Sequence, residues 1–76
     1  MEIFPGISMD PGIRFGKPCL AGTRIDVATI VGALAGGESY EDVEKAYDIN
    51  REQILAALRY AAHFASYLPP AVEKDS

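Results

Sequence analysis

Cysteine and histidine are nearly absent from this sequence: Cys19 and His63 are the single representatives of each. One thiol cannot form an intrachain disulfide, and a four-ligand structural zinc site has too few donors. Basic residues are also in deficit. Seven Lys and Arg stand against eleven Asp and Glu, for a net charge of −4 and a pI near 4.7. Non-specific nucleic-acid binding draws mainly on Lys and Arg at phosphates, so the isolated chain is a poor candidate for it. A basic partner could still carry a complex onto DNA. Long apolar runs are missing as well. The longest weakly polar stretch, Val27 to Gly37, is interrupted by Thr29 and falls far short of the roughly 20 residues that cross a bilayer. Met1-Glu2-Ile3-Phe4-Pro5 offers no basic region and no apolar run before a cleavage site, so no signal peptide is expected. These absences lead to the expectation of a cytoplasmic protein without membrane association, cofactor or bound metal.

What is abundant is apolar material: 49% of the 76 residues are hydrophobic. A single domain of this size buries only about 60% of the surface its unfolded chain exposes. The surplus implies burial against another polypeptide, an obligate partner or a second copy in a homodimer.

Residues 1–26 form an N-terminal strand-and-turn segment. Pro5-Gly6, Asp10-Pro11-Gly12 and Gly16-Lys17-Pro18 are turn punctuation. Ile7-Ser8-Met9 and Cys19-Leu20-Ala21 are short enough for the two arms of a β-hairpin, and Gly22 suits a bend. Residues 27–67 read as a helical core. Asp26 is placed to cap a first helix in which Val27, Ile30, Val31 and Leu34 share a face, with Gly36-Gly37 as its stop. Gly32 inside it either permits close approach of another helix or simply faces solvent. Ser39 starts a short second helix whose stripe is Tyr40, Val43 and Ala46 or Tyr47. Asn50, with Gln53 in the reciprocal position, caps a third helix running to about Ser66. Ile54, Leu58, Ala61, Ala65 and Leu68 lie on one of its faces, and Ala57, Tyr60, Phe64 and Tyr67 on the next. That arc is wider than a two-helix surface can cover. Residues 68–76 make a C-terminal tail without periodicity.

Short helix, tight turn, longer helix is the layout of a helix-turn-helix. The expected fold is therefore mainly α, a three-helix helix-turn-helix core behind a short N-terminal β-hairpin. Val43 and Ala46 are expected to pack on Ile54 and Leu58, with Ile49 plugging the turn. Such a motif points the start of its second helix at the major groove. Asn50, Arg51 and Gln53 then face base edges, with Arg59 further along and Lys45 at a phosphate. Glu52 opposes that arrangement by repelling phosphate.

The run Asp10-Pro11, Gly16-Lys17-Pro18-Cys19-Leu20-Ala21-Gly22-Thr23-Arg24-Ile25, then Gly37-Glu38-Ser39 and Tyr47 resembles the prokaryotic family called domain of unknown function 433 (DUF433). The Gly-Lys-Pro-Cys and Gly-Thr-Arg-Ile strings are its most specific part, and the likeness spans roughly residues 7 to 66. Three places depart from it: Ala21 where arginine is common, Asp26 where proline is frequent, and Asp48-Ile49-Asn50 in place of a Pro-Asp-Leu-Thr-like turn. They remove a positive charge and reshape the turn, which weakens DNA contact more than the fold. The resemblance implies a homeodomain-like helix-turn-helix and a VapB-like antitoxin role beside a PIN-like ribonuclease toxin.

Three other constellations fail on chemistry. Gly12 to Lys17 is a phosphate-loop look-alike with glycines one residue too close and Pro18 where Ser or Thr should hold magnesium. Cys19 with His63 reads as a core thiol and a helix-surface imidazole rather than a nucleophile pair. Glu41 and Asp42 are adjacent on a helix and so point apart. The expected function is that of a non-catalytic antitoxin, a homodimeric adaptor that binds a PIN-like nuclease toxin and represses its operon as a complex on operator DNA. The alternative is a stand-alone helix-turn-helix regulator. Tyr60, Phe64, Tyr67 and Leu68 are the expected partner or dimer surface. Arg24 either ties the hairpin to the core or to a second subunit, or meets a carboxylate on the partner.

Overall fold

The computed structural model describes residues 1–66; Tyr67, Leu68 and the expected tail of residues 68–76 lie outside the described residues. Strands β1 (Glu2–Phe4), β2 (Ile7–Ser8) and β3 (Cys19–Leu20) precede helices α1 (Val27–Ala35), α2 (Tyr40–Tyr47) and α3 (Arg51–Ala65), with a one-turn 3₁₀ segment at Arg14–Gly16. The strands form one antiparallel sheet in the order β1-β2-β3. The expected hairpin arms therefore pair, Ile7 with Leu20 and Ser8 with Cys19. The expected class is corrected, however: the domain is mixed α/β, not mainly α, because a third strand joins. Pro5-Gly6, read only as punctuation, is the two-residue turn that folds Glu2–Phe4 back on β2, with Gly6 at φ 83°.

Capping residues start each helix where the sequence places them. The Asp26 carboxylate accepts from the Thr29 N–H at 2.9 Å, and the Ser39 hydroxyl accepts from the Asp42 N–H at 3.0 Å. Asn50 and Gln53 complete a reciprocal box at 2.8 and 2.9 Å. Each such cap contributes about 1 kcal/mol by satisfying helix N–H groups that have no intrahelical partner. Asp48, at φ 57°, closes α2, and with Ile49 and Asn50 it connects α2 to α3.

Ile7 and Leu20 from the sheet, Val27 and Ile30 from α1, Val43 from α2, and Ile54, Ala56 and Ala57 from α3 make one core. The N-terminal segment is thus part of the same packed body as the helices. In α2 the stripe toward the core is Val43, buried, with Tyr40 and Tyr47 half-buried, while Ala46 is exposed. The expected packing of Ala46 on Ile54 and Leu58 is corrected accordingly. The i, i+3, i+7 line of this short helix meets the core along Val43 and leaves Ala46 to one side. The first half of α3 is covered by the sheet and α1; from Ala62 onward every described residue is exposed.

Candidate docking groove

Because α3 outruns the body that covers it, its distal half and the start of α1 leave a cleft of about 650 Å³. Val27, Ala28 and Val31 form one wall and Tyr60, Ala61, Phe64 and Ala65 the other; Met9, Lys17 and Pro18 close the end. Nearly all of this lining is apolar. Phe64 is 65% exposed although it stacks on Tyr60 at 6.2 Å. Tyr60 is anchored from behind, edge-on to Phe4 at 5.5 Å, and Phe4 also meets the His63 ring at 5.2 Å. Strand β1 thereby braces the α3 wall. Of the expected partner residues, Tyr60 and Phe64 come together here. Arg24 does not. It is exposed, away from the groove, with no hydrogen bond or ion pair to a described residue.

The polar fixture of the groove is Asp26, only 5% exposed. Besides capping α1 it receives the Arg14 guanidinium at 3.2 Å. Hydrogen bonding from Thr29, aided by Arg14, holds its carboxyl below the usual carboxylate range despite the opposing effect of burial. The neighbouring Cys19 thiol is pushed up by burial first and by Asp26 second. It lies buried in β3 and donates to the Lys17 carbonyl at 3.4 Å, as expected of a core thiol.

Arg14 belongs to a turn that the sequence reading missed. Arg14, Phe15 and Gly16 have φ of 51°, 58° and 82°, a left-handed turn closed by bonds from Gly16 N–H to the Ile13 carbonyl and from Lys17 N–H to the Arg14 carbonyl. For residues with a Cβ this conformation costs roughly 1–2 kcal/mol each. The turn leaves Phe15 95% exposed. Its sequence signal was an aromatic isolated among turn residues, outside any periodic segment.

Four of the five residues expected at DNA are otherwise engaged. Arg51 bonds Glu44 at 3.0 Å, lies 3.5 Å from Glu41 and stacks over the Tyr40 ring at 4.6 Å. Arg59 bonds Glu52 at 2.9 Å. Asn50 and Gln53 are occupied in the capping box. Lys45 is exposed and unpaired among the described residues. Among those residues there is also no group of three or more His, Cys, Asp or Glu able to hold a metal ion. No described helix is long and apolar enough to cross a membrane.

Fold and groove together define a small α/β domain in which a three-stranded sheet and three helices share one core and leave a broad apolar cleft. The chain belongs to the family described as protein of unknown function DUF433, whose family model matches residues 7–61. It is similar to an uncharacterised protein of Mycobacterium tuberculosis, 33% identical over 63 residues, which is 83% of this chain and 26% of that protein. The chain thus spans about a quarter of the length of that relative. No solved structure matches it.

Proposed function

We propose that this chain is a non-catalytic, antitoxin-type adaptor that binds a protein partner, a PIN-like nuclease, and silences it by occlusion. The observation that carries this reading is the apolar groove with Tyr60 and Phe64 on its wall. Large uncovered apolar clefts on small domains are features of protein-binding surfaces, and the Gly-Lys-Pro-Cys and Gly-Thr-Arg-Ile likeness supplies the antitoxin context. The nuclease lays an apolar segment between α1 and α3, and Lys17 at the end of the cleft favours an acidic residue in that segment.

Co-expression with the product of the adjacent reading frame tests it. A stable complex and relief of growth inhibition are expected, and Ala61→Asp, which places a charge in the groove, should abolish both. A nuclease that remains toxic, with no complex formed, overturns the reading. Within the same proposal, α2, Asp48-Ile49-Asn50 and α3 serve as a helix-turn-helix that engages operator DNA only as part of the complex. The ion pairs of Arg51 and Arg59 with carboxylates on their own surface favour this over a stand-alone regulator. Fluorescence anisotropy at low salt should therefore be flat for the isolated chain.

A further inference from the structure

We propose that the groove also receives Phe15 of a second copy of this chain, so that two molecules associate by exchanging this ring across a two-fold axis. Phe15 is the most exposed of the large hydrophobic side chains among the described residues, and a turn presents it. Its neighbour Arg14 is tied to Asp26, and two backbone hydrogen bonds close the turn. Asp26 borders the groove, and so do Lys17 and Pro18, which directly follow the turn. The ring is therefore carried within two residues of the end of the cleft. A projection and a recess this close together can be exchanged across a two-fold axis, and such a contact closes at two chains rather than growing into a filament.

The chemistry of the cleft suits an aromatic occupant. Its buried carboxylate is already satisfied by Thr29 and Arg14, so an entering ring leaves no charge unpaired. Lys17, unpaired among the described residues, provides a cation at the rim for the ring face. Of the five exposed large hydrophobic side chains among the described residues, Met9 and Phe64 line the cleft and Phe15 is two residues from Lys17 at its end. One symmetric contact would cover all three.

Sedimentation velocity on the full chain, from low micromolar to about 1 mM, tests this without any nuclease. The wild type should show a concentration-dependent monomer–dimer equilibrium. Phe15→Asn removes the ring but keeps a residue that tolerates left-handed backbone, and Ala28→Trp fills the recess. Each should raise the dissociation constant by about tenfold or more, as for an aromatic anchor at an interface. Mixed in equal amounts, the two should recover a dimer with a single ring-in-groove contact. Circular dichroism checks that both remain folded, and if Ala28→Trp does not, Phe15→Asn alone decides. A wild type that is monomeric throughout, or a Phe15→Asn chain that dimerises as tightly as wild type, overturns the proposal. Because only this chain is measured, that failure is distinct from a failure to bind nuclease.

Discussion

Asp26 joins several parts of the molecule. It caps α1, pairs with Arg14 and borders the groove. Asp26→Ala should destabilise by about 1–2 kcal/mol, chiefly through the lost cap, as read from urea unfolding at pH 7. Its pH dependence follows from the direction of its shift. The folded carboxyl titrates below its ordinary value of 3.8, so the unfolded chain takes up the proton first as pH falls. The stabilisation is complete above the ordinary value and is lost as pH drops through the lowered one. Asp26→Asn should flatten that acid limb while leaving the neutral plateau lower. At Phe15 the balance runs the other way. With its ring in solvent and its backbone left-handed, Phe15→Gly should stabilise the folded chain by about 1 kcal/mol, because glycine accepts positive φ without a Cβ clash. An unchanged or lower melting temperature would show that the turn carries no such strain. Asp26 as a cap was legible in the sequence, since a cap is local; its ion pair with Arg14, twelve residues away, was not.

Among the elements, legibility follows the same division between local and distant causes. The helices were readable because Asp26, Ser39, Asn50 and Gly36-Gly37 mark their ends within one turn. The β2–β3 pairing was readable from two short apolar runs set between turns. Strand β1 was not, because Glu2–Phe4 is a strand only by virtue of its neighbours: its ladder to β2 and the Phe4 contact with Tyr60 on α3. The Pro5-Gly6 turn that makes this possible is tightly constrained. Gly6 has φ 83°, and a Cβ there would stand 3.0 Å from that of Ala56. Gly6→Ala therefore meets both backbone strain and a methyl group in the core, and should cost about 1–3 kcal/mol. Adding Ala56→Gly should recover the steric part only, a partial rescue measurable by a double-mutant cycle. Full additivity of the two would place the close approach outside the energetics of the turn.

At the scale of the whole molecule, the sequence's apolar surplus located the exposed half of α3 but not the cleft. A cleft needs a second wall, and Ala28 and Val31 of α1 joined α3 only through tertiary packing. The consequence for function is competition. A second copy and a nuclease segment would use the same walls, so wild-type chains held as dimers have closed grooves. An affinity measured on a fractionally competent population is reduced by that fraction; were about nine-tenths of the chains dimeric, binding would weaken about tenfold. Phe15→Asn weakens the exchange without altering the recess. It should therefore bind the nuclease more tightly than wild type at high chain concentration, and equally well at dilutions where wild type is already monomeric. Titration calorimetry at two chain concentrations checks this. Equal affinities for the two proteins at both concentrations would mean that the second copy and the nuclease occupy different faces.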